Sequence, residues 1–240
     1  MIPPGATVIH EPHGFIHLEA SNADDLGVVN SARVSYGKRS TWHEHGKDVG
    51  RLKEEDAKLV GYLLKNGHGT PFEHNYFTFH VRAPLFVFRE WHRHRIGWSY
   101  NEESARYVEL APDFYLPDDE HCRKQVGKPG HYTYEQVAPE QAEHTRMMLD
   151  MIYRRAYSTY KQMMSEGIAK EIARACLPVA TYSQMYATCN ARSLMNFLEL
   201  RNAPNAMREI RDYAHVMELM LAEKMPVTYN NFVANGRKAP

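Results

Sequence analysis

Hydrophobic and polar positions along this chain follow two periods, and the changes of period mark most of its elements. Within residues 22–37, Leu26, Val29 and Ala32 recur at three- and four-residue spacing, which predicts a short helix with Asn22 or a following aspartate near its N-cap. Residues 54–66 put Ala57, Val60, Leu63 and Leu64 on one face and stop at Gly67, a residue suited to the left-handed position after a helix. Period two takes over in residues 74–82, where Phe77, Phe79 and Val81 alternate with Tyr76, Thr78 and His80, predicting a half-buried strand. Pro84 then suits the first turn of a helix running from Leu85 to about Arg95.

Residues 112–139 show no period and read as a surface excursion, not a linker between domains. In residues 140–164 a helical period returns, carried by Met147, Met148, Met151, Ile152, Tyr157, Tyr160 and Met164. A further helix ends before Pro178, which cannot continue it. Residues 182–189 read as a second strand able to pair with the first. Residues 191–201 form a helix with Asn190 at its cap and Leu194, Phe197 and Leu198 as its apolar stripe, and another helix starts at Asn205 with Ile210, Tyr213, Met217 and Leu221 facing inward. Several helices, few strands and no βαβ rhythm predict an α+β fold: one domain over residues 1–240, with a central, mainly antiparallel sheet flanked by helices and a helical bundle portion.

Charge narrows the choice of partners. The 240 residues carry 29 Lys plus Arg and 29 Asp plus Glu, so the formal net charge is zero and nothing suggests the diffuse positive field of a nucleic-acid binder. No apolar run approaches the ~18 residues of a membrane span. Cys122, Cys176 and Cys189 are odd in number and widely spaced, and no charged-then-apolar leader opens the sequence, so the expected location is the cytoplasm.

Against that balance the stretch WHRHRIGWSYNEESARY, residues 91–107, stands out. On a helix Arg93, His94 and Arg95 would fan over about 200°, so at least one arginine would point into whatever packs beside it. Asn101, Glu102, Ser104 and Arg106 follow in what reads as a loop, and guanidinium forks next to amides and hydroxyls suit oxyanion capture. A small anion is the partner this implies. By spacing alone, Ser104 reads as a helix N-cap. The helix of residues 191–201 is a second dense segment: Asn190 and Asn196 accompany Arg192 and Arg201, although Asn is a poor helix former unless its side chain is used. His68 and Glu73 lie in a turn-rich connection where ligand groups are commonly presented. His92-x-His94 and His43-x-His45 have the spacing of a paired metal site, but Arg93 and Arg95 oppose a dication and no thiolate lies near in sequence, so no metal is expected.

Together these segments resemble the flavin-dependent thymidylate synthase family. Arg93-His94-Arg95 followed by a short spacer and Ser104 is similar to the family's hallmark, and Ser31-Ala-Arg-Val-Ser35, His68-x-Thr70-Pro-Phe-Glu73-His, Asn101-Glu-x-Ser-x-Arg-Tyr107 and Asn190-Ala-Arg-Ser-Leu-Met-Asn-Phe-Leu-x-Leu-Arg201 match the surrounding words. The spacer is one residue longer than the family's usual one, and Glu90 stands where a glutamine is expected. The resemblance implies reductive methylation of dUMP to dTMP for dTTP synthesis, with 5,10-methylenetetrahydrofolate giving the carbon, NADPH the reducing equivalents and FAD relaying the hydride. By correspondence, Ser35, Thr70, Glu73, Arg93, His94, Arg95, Glu102, Asn190, Arg192 and Asn196 would hold FAD. Glu90, Trp91, His92, Arg93, Glu102, Glu103, Ser104, Ala105, Arg106, Arg174 and Arg201 would hold dUMP. It also implies a homotetramer with active sites shared between subunits. Arg201 is the expected activator of the uracil ring, stabilising its N3-deprotonated or enolate form, with His68 ordering water or flavin and Ser104 hydrogen-bonding the nucleotide.

Overall fold

Two long strands organise the molecule. In the computed structural model, which describes residues 2–10, 12–44 and 49–240, β3 (Tyr76–Pro84) and β7 (Tyr182–Asn190) pair antiparallel along their whole length. β1 (Thr7–Ile9) and β2 (Gly14–Ser21) extend the sheet beyond β3, and β4 (Trp98–Glu102) flanks β7, giving the order β1-β2-β3-β7-β4 with every pairing antiparallel. The register sets Phe77 opposite Cys189, Phe79 opposite Ala187 and Val81 opposite Met185, and all six side chains are buried. The alternate residues make a polar face, where Thr78 meets Thr188 at 2.9 Å and the His80 ring stacks on Tyr186. The period-two alternation of the sequence is thus a real division between core and open face.

On the apolar face pack α1 (Asp25–Arg33), α2 (Glu54–Lys65), α3 (Leu85–Trp91), α6 (Ala191–Arg201), α7 (Arg208–Lys224) and α8 (Pro226–Ala234). The stripes expected on α6 and α7 are the buried ones: Leu194, Phe197, Leu198, Ile210, Tyr213, Met217 and Leu221 have no exposed surface. A smaller cluster of Tyr115, Tyr153, Ala180 and Tyr182 carries α4 (Pro139–Ser165), followed by the short α5 (Lys170–Ala173). The fold is α+β, as the sequence suggested.

Several boundaries differ from expectation. The helix after Pro84 ends at Trp91, so the arginine triplet lies in the turn beyond it. The Tyr100 hydroxyl donates to the carbonyls of His94 (2.7 Å) and Trp91 (3.3 Å), and Gly97, with φ +68°, reverses the chain into β4. The segment expected as a loop from Gly97 therefore begins with a strand, β4, whose Trp98 and Tyr100 lie opposite Cys189 and Ala187. Residues 112–139 contain a hairpin, β5 (Arg123–Lys128) with β6 (His131–Gln136). It escapes hydrophobic periodicity because all of β6 is exposed. The helix expected from Asn205 starts at Arg208. On α4 the buried residues are Ala142, Tyr153 and Tyr160, while Met147, Met148, Met151 and Ile152 point outward with 43 to 66 % of their surface exposed.

The helical layer is tied together by a buried carboxylate. Asp25, in the first turn of α1, accepts hydrogen bonds from the backbone N–H of Val227 and Thr228 (both 2.8 Å) and from the Thr228 hydroxyl (2.6 Å), closing the start of α8. Burial raises its pKa, and these bonds oppose the rise. Asp25→Ala is expected to lose about 3 kcal/mol of stability in urea denaturation, since it strands several buried donors at once. The exposed-side cap Asp24, which accepts from Gly27 N–H, should cost only about 1 kcal/mol on substitution by alanine. Equal losses would show that Asp25 is merely another cap.

Candidate active site

The turn after α3 is stapled to the start of α6. Ser193 Oγ donates to the Ile96 carbonyl (2.8 Å), and Asn190 N–H donates to the Gly97 carbonyl (3.4 Å). Asn190 also caps α6, its Oδ1 accepting from Ser193 N–H. A Cβ on Gly97 would sit 2.2 Å from Ser193 Oγ, so only glycine permits this approach. Beneath the turn, Trp91, Trp98, Phe197 and Tyr213 form a contiguous aromatic floor, with Trp91 fully buried.

The triplet divides as its turn dictates. His94 is buried, whereas Arg93 and Arg95 are exposed and have no ion-pair partner among the described residues. Arg201, at the last turn of α6, reaches back to His94: its Nε donates to His94 Nε2 at 2.9 Å, Nη1 donates to the Glu90 carboxylate, and Nη2 donates to the Glu90 carbonyl at 3.1 Å. With Nε2 accepting from a guanidinium, His94 is neutral, and burial together with the Arg201 charge pulls its pKa down to about 4. That bond occupies one of the two ring nitrogens of His94 in the His92-x-His94 pair; His45 of the other pair lies outside the described residues. His92 packs edge-on against Tyr100.

The remaining expected residues fall into three clefts. Glu73, Gly97, Asn190, Arg192, Asn196 and Glu199 line one of about 520 Å³. Across it Arg192 Nη1 donates to Glu73 at 2.6 Å and its Nε to the Pro240 carbonyl at 2.8 Å. The one-turn helix Thr70–His74 separates this cleft from a second, of about 500 Å³, lined by Ser31, Ser35, Tyr62, His68 and Thr70, where the His68 ring stacks on Tyr62. A Cβ on Gly69 would meet Arg192 Nε at 2.4 Å, so the approach of that guanidinium needs glycine. The third cleft, about 490 Å³, brings Glu102, Glu103 and Ala105 to Arg174. Ser104 Oγ accepts from Arg106 N–H at 3.3 Å, and Arg106 pairs with Glu171.

Arg89 was missed by the sequence reading. It lines the third cleft together with Arg174 and Glu171, and neither guanidinium has an ion-pair partner among the described residues. Ser183, whose buried Oγ has no hydrogen-bond partner among the described residues, lines it too.

Comparison with known proteins accounts for this arrangement. The family model described as thymidylate synthase complementing protein matches residues 18–227. The flavin-dependent thymidylate synthase of Streptomyces coelicolor is 49% identical over 232 residues, covering 94% of this chain and 93% of that protein. The protein of the same name from Thermosipho africanus is 43% identical over 221 residues, covering 92% of this chain and 91% of its own. A crystal structure of the UMP/dUMP methylase PolB from Streptomyces cacaoi, bound with 5-Br UMP, superposes with a TM-score of 0.85 at 41% identity, covering 97% of this chain and 99% of that one. This chain therefore belongs to the thymidylate synthase complementing protein family, the flavin-dependent thymidylate synthases, and is a methyltransferase that uses FAD.

Proposed function

We propose that this protein methylates dUMP at C5 to give dTMP, taking the carbon from 5,10-methylenetetrahydrofolate and reducing equivalents from NADPH, in the cytoplasmic supply of dTTP. The observation that carries this reading is Arg201, held between Glu90 and a neutral His94. A guanidinium has five N–H donors. The bonds to His94 and Glu90 use one on Nε and one on each terminal nitrogen, leaving one donor free on each of Nη1 and Nη2. These two remaining donors can meet the edge of a uracil ring that carries negative charge across N3 and a carbonyl oxygen. Stabilising that charge raises electron density at C5, where the new bond forms.

The residues fit FAD. Its pyrophosphate needs cationic donors without prior partners, and Arg93 and Arg95 are such donors, beside a polar cleft lined by Asn190, Arg192 and Asn196. Ser35, Thr70 and His68 would receive another part of the same cofactor. When bound, FAD supplies hydride transfer. Arg89 and Arg174, neither with an ion-pair partner among the described residues, suit the dUMP phosphate in the cleft they share with Glu102, Glu103 and Ala105, with Ser104 and Arg106 on the adjoining loop. Glu90 and His92 would complete the nucleotide site above Trp91.

The distribution of these residues among separate clefts supports a homotetramer in which neighbouring chains complete each site. The outward stripe of Met147, Met148, Met151 and Ile152 on α4 supports it too, since an apolar helix face of this kind normally meets a partner.

Given dUMP, methylenetetrahydrofolate, NADPH and FAD, the protein should form dTMP by chromatographic assay; UMP offered in parallel tests whether the site also takes the ribonucleotide. Absence of methylated product from either would overturn the reading. Arg201→Ala should keep its fold and flavin absorbance yet lose about 10²–10³-fold in kcat; unchanged turnover would remove Arg201 from the mechanism. His94 gives a pH signature. Its folded pKa of about 4 lies below the unfolded value of about 6.5, so the unfolded state binds the extra proton between those values and stability falls as pH drops from about 6.5 to about 4. His94→Asn should flatten that part of the urea-denaturation profile, and an unaltered slope would show that His94 is not the group responsible.

A further inference from the structure

Away from these clefts, three segments distant in sequence bring their side chains together. His10 lies between β1 and β2, His121 in the segment before β5, and Asp212 on α7. His10 Nε2 and His121 Nε2 each lie 3.0 Å from the same oxygen of Asp212, and one donor atom from each residue lies within 4.8 Å of the others. The two imidazole side chains are each only 6% exposed, while Asp212 is 34% exposed and opens the group to solvent. None of the three lines the clefts that gather the proposed flavin and nucleotide residues.

Three features are hard to explain as ordinary packing. His10 adopts φ +54°, in the left-handed region that a non-glycine residue rarely occupies. Its Nδ1 is buried and has no hydrogen-bond partner among the described residues. The backbone strain and the unsatisfied nitrogen are both unfavourable, and both go with aiming Nε2 at Asp212. On the other imidazole, Nδ1 of His121 is 2.6 Å from Asp118 Oδ1, so a carboxylate fixes the ring with Nε2 directed at the group. A carboxylate behind a histidine is the usual outer support of a metal-ligating imidazole.

We propose that His10, His121 and Asp212 form a binding site for zinc, with Asp118 as the positioning residue behind His121. Two imidazole nitrogens and a carboxylate oxygen suit this borderline cation. Tetrahedral zinc holds its donors about 3.3 Å apart, close to the 3.0 Å now between each Nε2 and Asp212, while the donors of the group lie within 4.8 Å of one another and close further around the ion; the solvent-facing side of Asp212 leaves a position for water. To bind, each Nε2 must offer a lone pair: His121 gives its Nε2 proton to water and keeps Nδ1–H on Asp118, and His10 takes the neutral tautomer with its hydrogen on Nδ1. Asp212 and Asp118 balance the dication, and Arg208, one turn earlier on α7, is already engaged by Glu120. The ion would clamp the segment before β2 and the excursion before β5 onto α7, a structural role separate from methyl transfer.

The test is zinc binding to the whole protein, stripped with a chelator and then titrated against a chromophoric zinc indicator, with thermal midpoints recorded with and without Zn²⁺. Wild type is expected to take one zinc per chain and to melt higher with zinc, reversibly on adding EDTA. His121→Asn and Asp212→Asn, checked for folding by circular dichroism, should weaken binding at least tenfold, while His144→Ala, an exposed histidine on α4, should not. Should the ligand variants fail to fold, Asp118→Asn, which keeps all three ligands, should still lose about 10–100-fold in affinity. No zinc retained by wild type, or affinities unmoved by these substitutions, would overturn the assignment.

Discussion

The contact on which the site depends is the guanidinium of Arg201 held between the Glu90 carboxylate and the Nε2 of a neutral His94. It joins the end of α6 to the end of α3 and to the turn that carries the arginine triplet. Its geometry rests on hydrophobic packing: Phe197, one turn before Arg201, lies fully buried against Trp91, Trp98 and the His94 ring. The aromatic floor excludes water from one side of Arg201 and His94, which keeps the imidazole unprotonated and its lone pair available. A cation so placed has fixed donors before any ligand arrives, so little reorganisation accompanies charge development on a ring above it.

Zero net charge and a dense arginine knot are compatible because the charges are sorted. Arg33, Arg82, Arg146, Arg192 and Arg208 each face a carboxylate. Arg89, Arg93, Arg95 and Arg174 form no ion pair among the described residues. Overall balance rules out a diffuse field, while Arg93 and Arg95 in the exposed turn, and Arg89 and Arg174 in a cleft they share with Glu102, Glu103 and Glu171, keep guanidinium donors available beside clefts sized for small ligands.

The sequence revealed whatever depended on burial of one face. α2, β3, β7, α6 and α7 each bury a periodic apolar set, so their periods located them to within a few residues; α1 was located too, although of Leu26, Val29 and Ala32 it buries only Val29, together with Val28 and Asp25. β5 and β6 did not reveal themselves, because a hairpin standing clear of the core needs no apolar alternation. β4 was too short to show a period, and α3 stopped early because Tyr100 claims the carbonyls beyond Trp91, a contact made across a turn. On α4 the period was legible but its direction was not: Met147 and Met151 announce an apolar stripe without saying whether the core or a neighbouring chain covers it. Site residues were legible where they clustered locally, as in the triplet and in the helix of residues 191–201. The group of His10, His121 and Asp212 was invisible, since only the fold brings those positions together.

The central claim is that the Arg201 fork and the flavin clefts serve methylation at C5 of a uridine nucleotide. Its most direct measurement is tritium release from [5-³H]dUMP in mixtures from which FAD, NADPH or methylenetetrahydrofolate is omitted in turn, because methylation must expel that hydrogen. The account predicts release coupled to dTMP formation in the full mixture and a sharp fall when FAD is left out. Release that persists undiminished without flavin, or flavin binding with neither tritium release nor dTMP, would contradict it.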